Sequence, residues 1–247
     1  MNIVVCISQT PDTTTKIVVA PDGKNIDPKG VKFILSPYDE FAVEEGLRQK
    51  GASGTVTLVC VGGEGAKETI RLGLAMGADK AILVKDEARA DSWSVGVELA
   101  EVVRSLAPDL VLLGRQSIDY DSAQIGPMLG ELLELPCVSF VTSLAIEGTT
   151  VRAERDIEGG KEVVETQLPC IITCQKGLNE PRYPKLPDIM KAKSKPIEER
   201  APASSEKRVE TVVMRQPEKK GAGKVLEFSP ENVRELVRLL HEEAKVI

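Results

Sequence analysis

The chain carries one histidine, His241, and five cysteines, Cys6, Cys60, Cys137, Cys170 and Cys174. Hydrolase chemistry of the Ser–His–Asp or Cys–His kind would have to rest on His241, which sits in a charged C-terminal stretch where a solvated helix-surface histidine is expected. A zinc or iron–sulfur site lacks ligands for the same reason. No catalytic residue and no metal site is read from the sequence. The cysteines are odd in number in a chain too large to need disulfides, and all but Cys174 lie in or beside apolar runs, so they read as buried free thiols. Cys170 and Cys174 are four apart in a strand-like run, which puts both on one face.

Three turns remain as places for binding chemistry. In the first, Ser36, Pro37, Tyr38 and Asp39, the serine can cap a helix that the proline starts, leaving outward-facing first-turn amides. Helix capping alone would also account for these residue types. The second, Val61-Gly62-Gly63-Glu64-Gly65, leads directly into a helix whose N-terminus favours an anion, although neither GxGxxG nor GxxxxGK[ST] is present. The third is a long polar loop: Gly114, Arg115, Gln116, Ser117, Ile118, Asp119, Tyr120, Asp121, Ser122, Ala123, Gln124, Ile125, Gly126 and Pro127. Loops this polar between a buried strand and an apolar helix tend to bind ligands. Asp119 and Asp121 repel phosphate and suit ribose hydroxyls, a cap or a cation; solvated turn acids are the alternative.

The elements that would position these turns are βα units. Residues 2–7, 55–61, 80–84 and 109–113 read as strands, with helices over 37–50, 66–76 (closed by Gly77 as a C-cap) and 92–106. Most of the strands are continuously apolar, as a parallel sheet covered on both faces requires. The fold class expected is α/β: a doubly wound, mostly parallel, Rossmann-like sheet, with ligands bound beyond the strand carboxyl ends at the switch point. After Pro136 come strands over 138–146, 149–155, 161–167 and 169–174, with Glu158–Lys161 as a glycine hairpin turn, added to the sheet. From residue 191 the stretch KAKSKPIEERAPASSEKR reads as an extended, solvated connector. It leads to a final helix with Ser229 as N-cap, Pro230 at its first position and an apolar stripe of Val233, Leu236, Val237 and Leu240. The expected division is a nucleotide-binding α/β domain over 1–190 and a connector with docking helix over 191–247.

Composition narrows the function. The 247 residues are 42% hydrophobic, enough for a sizeable core. A net charge of −6 and 3% aromatics argue against nucleic-acid binding and base-stacking platforms. No apolar run reaches membrane-spanning length, and the N-terminus, MNIVVCISQT, starts as a strand and not as a signal peptide, so the expectation is a soluble cytoplasmic protein.

Five blocks in order resemble one family. PYDEFAVEEGLR (37–48), ETIRLGLAMGADKA (68–81), LVLLGRQSIDYDSAQIGP (110–127), the signature-like segment 153–173 (Ala153 through Glu158, Gly159, Gly160 and Pro169 to Thr173) and LNEPRYPKLPDIMKAK (178–193) resemble the β subunit of electron transfer flavoprotein over nearly the whole chain. The resemblance implies an electron-carrier subunit and not a stand-alone enzyme. It implies a heterodimer with an α subunit that holds an FAD, passing electrons from acyl-CoA or other dehydrogenases to a quinone oxidoreductase or other acceptor. It also implies a buried adenine nucleotide in this subunit: AMP in ordinary members, a second FAD in electron-bifurcating ones, where it reacts with NADH. By matching motifs, the pocket would be lined by Cys6, Ser36–Asp39, Val61 and the loop from Arg115 to Gly126, and Leu186 would belong to a loop that docks partner dehydrogenases; a leucine folded onto its own domain is the alternative. The turn at Pro37-Tyr38-Asp39 and the run Asp121–Gln124 resemble the bifurcating members more closely. Where ordinary members often carry a tyrosine near the α-subunit flavin, Gln9–Thr14 has none. The family's compartment is the bacterial or archaeal cytosol, or the mitochondrial matrix. The rival reading from another class is a stand-alone ATP- or AMP-binding sensor of the same fold.

Overall fold

The computed structural model describes residues 1–87, 91–203, 207–218 and 223–247. In the first half, strands β1 (Asn2–Ile7), β4 (Thr55–Gly62), β5 (Lys80–Lys85) and β6 (Leu110–Gly114) alternate with helices α1 (Pro37–Gln49), α2 (Ala66–Met76), α3 (Ser92–Leu106) and α4 (Ile125–Leu133). A short antiparallel pair, β2 (Gln9–Pro11) and β3 (Phe33–Leu35), stands beside them. Then follow β7 (Cys137–Glu147), β8 (Thr150–Ile157), β9 (Gly160–Gln167), β10 (Cys170–Cys174), helix α5 (Leu186–Ala192) and β11 (Ile197–Arg200). The main sheet has nine strands in the order β11-β5-β4-β1-β6-β10-β7-β8-β9. It is parallel from β11 to β7 and antiparallel over β7-β8-β9.

The continuous apolar runs are explained by cores on both faces. Ile3, Val5 and Ile7 of β1 join Leu58, Cys60, Leu110 and Leu112 under α1 and α2. Val4 and Cys6 join Val59, Val111 and Leu113 under α3 and α4. Each strand therefore spends alternate residues on opposite helix layers, which is why it can be apolar throughout. Cys170 and Cys174 lie in the same core, on one face as their spacing requires. Gly77 caps α2 at φ +133°, donating to the Gly73 and Leu74 carbonyls. Successive strands run outward from β1 through β4 to β5 and then jump back to β6 on the other side of β1, so the switch point opens between β1 and β6.

The polar stretch after residue 190 differs from the expected solvated connector. Its first part closes α5, and Ile197–Arg200 pairs in parallel with Ala81–Val84, covering an edge of β5 that would otherwise be bare. Lys195 Nζ donates to the Leu74 and Ala78 carbonyls and Arg71 Nη1 to the Ala192 carbonyl at 2.7 Å, so cationic side chains fasten this segment beside α2 together with buried Ala192 and the partly buried Ile197. The final helix, α6 (Pro230–Arg238), is capped by Ser229, whose side chain accepts from the Asn232 N–H, and runs into a π-helical turn, α7 (Leu239–Glu243), that carries the exposed His241. No residue of α6 is buried, and Val233, Leu236 and Val237 are each about half exposed.

Candidate nucleotide site

A cavity of about 910 Å³ opens at the carboxyl ends of β1, β4 and β6, at the switch point. Its floor is the ends of those strands: Cys6, Ile7, Ser8, Val61, Gly62, Leu113 and Gly114. Val95 and Leu99 of α3 and Met128 of α4 form an apolar wall, while the loop after β6 supplies Arg115, Gln116, Ser117, Asp119, Tyr120, Ser122, Ala123, Gln124 and, at the start of α4, Ile125. The site thus has an apolar side fit for a planar base and a polar side ending at a helix N-terminus fit for sugar and phosphate. Gln124, the residue before α4, makes no side-chain cap, leaving the first-turn amides of the helix without side-chain partners from it.

Asp39 is the pin of the floor. One carboxylate oxygen accepts from the backbone N–H and the hydroxyl of Ser8, both at 2.7 Å, and the other from the Gly114 N–H at 2.9 Å. It therefore ties the end of β1 to the end of β6 across the crevice. Gly114 has to be glycine: a Cβ there would lie 2.5 Å from Asp39 Oδ1 and 2.7 Å from Tyr38. Burial pushes the Asp39 carboxyl up to about 7 against the pull of its three donors, with Asp119 adding repulsion. Burial, with the nearby Asp39 charge, raises Cys60 to about 12 and raises Cys6 as well, so both thiols are inert at neutral pH.

The polar loop is held open by its own network. Arg115 sits 5.2 Å from both the Tyr38 and Phe140 ring centroids, donates to the Gln116 side chain, and reaches Gln175. Gln116 in turn donates to Asp121. Asp121 (φ +50°) and Ala123 (φ +51°) occupy left-handed backbone at roughly 1–2 kcal/mol each, a cost that clusters at binding loops.

Of the sequence-derived site residues, Cys6, Asp39, Val61, Arg115, Gln116, Ser117, Asp119, Tyr120, Ser122, Ala123, Gln124 and Ile125 meet around the cavity. Ser36, Pro37, Tyr38, Ile118, Asp121 and Gly126 do not line it. Ser36 is fully buried, makes no side-chain cap and has an unpartnered hydroxyl; the Asp39 and Glu40 amides bond instead to its backbone carbonyl. Gly126 packs against Thr173 on β10. Sequence reasoning missed Ser8, Gln9, Trp93 and residues 207–211, all of which line the cavity. A lone tryptophan in the first turn of α3 was a usable signal; the connector gave none.

Leu186 opens α5 and is 73% exposed. The preceding loop is anchored from beneath: Arg182 forks onto Glu44 at 2.6 and 2.8 Å, and Asn179 donates to Glu45 and to the Phe41 carbonyl. Glu44 and Glu45 are buried in α1, so the anchor is rigid and the leucine is turned outward.

The electron transfer flavoprotein domain pattern matches residues 24–205. The electron transfer flavoprotein subunit beta of Bacillus subtilis is 44% identical over the whole of both chains. The chain belongs to the electron transfer flavoprotein family. Other relatives in the electron transfer flavoprotein family include the mitochondrial subunit beta of Oryza sativa subsp. japonica, 37% identical over both full lengths. The caffeyl-CoA reductase-Etf complex subunit CarD of Acetobacterium woodii is 40% identical over 80% of this chain and 77% of its own. Electron transfer flavoprotein β subunits are electron carriers and not enzymes in their own right. No helix among the described residues is long and apolar enough to cross a membrane.

Proposed function

We propose that the chain is the β subunit of a heterodimeric electron transfer flavoprotein, that it holds an adenine nucleotide in the switch-point cavity, and that it works in the cytoplasm. The observation that carries the nucleotide reading is the cavity itself: an apolar wall facing a polar loop and a helix N-terminus, at the crossing point where doubly wound sheets bind ligands. Its volume, about 910 Å³, lies near the top of the usual range for small-molecule sites, which favours FAD over AMP, a molecule of fewer than half as many atoms. In this reading the wall of Val95, Leu99 and Met128 receives the adenine, Asp119 and Ser117 face ribose hydroxyls, and the α4 amides take phosphate. A flavin bound here would supply hydride acceptance from a reduced nicotinamide, whereas AMP would stabilise the fold by mass action alone.

The partners follow from the same assignment. The name of the Acetobacterium relative places that protein in a complex with a reductase. The half-exposed stripe of α6 supports docking on an α subunit, and the outward Leu186 supports docking of an acyl-CoA or other dehydrogenase; the electron acceptor is a quinone oxidoreductase or its equivalent. The test is to purify the chain with a co-expressed α subunit, denature it, and chromatograph what is released. FAD beyond that of the α subunit supports the flavin-bearing form, and AMP supports the ordinary carrier. Release of neither refutes the nucleotide reading, and ATP turnover by the lone chain would favour the sensor instead.

A further inference from the structure

The outer side of the cavity is not made by the sheet domain's loops alone. After β11 the chain turns back over α3, where the Ala203 N–H donates to buried Glu98 at 2.7 Å. The Arg208 and Val209 amides then both donate to one oxygen of Asp91, each at 2.7 Å. The other Asp91 oxygen accepts from the Ser94 N–H and hydroxyl, capping α3. One carboxylate therefore serves two masters on separate oxygens. The Arg208 guanidinium lies 3.5 Å over the Trp93 ring. Glu210 pairs with Lys24 at 2.7 Å, and the Met214 N–H donates to the Gly23 carbonyl, so the segment spans from the start of α3 to the loop between β2 and β3.

Residues 207–211 line the same cavity as Cys6, Val61 and Gln124. Val209, Val212 and Val213 nevertheless leave 70%, 80% and 53% of their surface in solvent. The segment is thus docked by a few polar contacts and gains little from apolar burial, the signature of an element that opens well below the cost of global unfolding.

We propose that Asp91 pins residues 207–211 as a strap across the mouth of the switch-point cavity, so that an adenine nucleotide bound there leaves only when the strap lifts. The proposal rests on the nucleotide reading above and adds the residues that control retention. Asp91 is a positioning residue in it; Trp93 and the strap backbone are the surfaces that meet ligand. Ligand contact with the docked strap and strap docking on ligand are reciprocal, so nucleotide also tightens the strap. Desolvation raises the Asp91 carboxyl, but its hydrogen bonds from Ser94, Arg208 and Val209 outweigh that and hold it at about 2, so the pin stays charged at neutral pH.

The test uses the full chain purified with its α subunit and loaded with FAD or AMP. Asp91→Asn keeps an oxygen for the α3 cap but sets an amide N–H₂ against the Arg208 and Val209 N–H groups. Loss of two charge-assisted bonds should speed nucleotide release on the order of tenfold, followed by chase with excess unlabelled AMP. Arg208→Ala, at an exposed position, should act in the same direction and covers the case in which Asp91→Asn fails to fold. In the wild type, trypsin cleavage after Lys207 and Arg208 should slow when FAD or AMP is added. Unchanged release in the variants, or cleavage indifferent to nucleotide, overturns the strap while leaving a nucleotide-binding subunit intact. A wild-type chain that binds neither FAD nor AMP overturns the nucleotide reading and the strap together.

Discussion

Substituting Gly126 probes how tightly the site is tied to the sheet. A Cβ built at Gly126 would lie 2.3 Å from Thr173 Cγ2, well over 1 Å inside ordinary contact distance. Thr173 cannot swing aside cheaply: it is buried, and its hydroxyl accepts the Phe140 N–H at 2.8 Å. In Gly126→Ala the strain must therefore move α4 away from β10. Overpacking of this kind costs about 2 kcal/mol, which for a chain of this length lowers Tm by roughly 6 °C. The same displacement carries Gln124 and Ile125, which line the cavity, so nucleotide stoichiometry should fall as well. Thr173→Ser removes the clashing methyl and keeps the hydroxyl. The double variant Gly126→Ala/Thr173→Ser should therefore recover both Tm and nucleotide, giving a coupling of at least 1 kcal/mol in a double-mutant cycle. Calorimetry and chromatography of released nucleotide read the two quantities independently. A Gly126→Ala protein with wild-type Tm and full nucleotide, or a double variant no better than the single, would refute the packing argument.

Leu186→Ala should change stability by no more than about 0.5 kcal/mol, since the side chain is 73% exposed, yet slow electron delivery from the partner dehydrogenase about tenfold or more in steady-state assays; destabilisation with unaltered coupling would contradict the docking role. Deleting residues 226–247 removes a helix with no buried residue, so the sheet domain should keep its Tm while association with the α subunit, measured by sedimentation, weakens. Asp39 sets a pH dependence of definite sign. Its carboxyl titrates near 7 folded and near 3.8 unfolded, so the folded state holds the extra proton, and this group's contribution to stability is full below about pH 4 and lost as pH rises to 7. The difference in unfolding free energy between wild type and Asp39→Asn should fall across that window by about 4 kcal/mol and then level off; a difference curve flat from pH 4 to 7 rules out the buried-carboxylate assignment.

Much of this was legible in the residues. Continuous apolar runs specified buried parallel strands because each strand must satisfy a helix layer on both faces, and the structure shows two such cores. Gly77 and Ser229 marked helix ends through backbone chemistry that acts within a single turn. The polar loop after Leu113 stood out because hydrogen-bonding side chains between a buried strand and an apolar helix are hard to explain by packing. What local pattern could not report was pairing between distant segments. Ile197–Arg200 is too polar to read as a strand, and becomes one because the edge of β5 offers unpaired backbone groups. Ser36 has the residue type of a cap, but burial took its hydroxyl out of reach of any partner. Nothing in the local pattern marks Glu44, Glu45, Glu98 or Asp39 as an internal acid. Each is buried, because a donor far along the chain, in Arg182, Asn179, Ala203 or Gly114, stands where its carboxylate points. The sequence by itself determined the order and type of the main elements and the three turns around the crevice, since those depend on periodicity and short-range backbone chemistry. Only the tertiary structure decided which carboxylates became internal pins and that residues 207–211 line the cavity, because a buried carboxyl is held by partners 75 to 138 residues away that no local window contains.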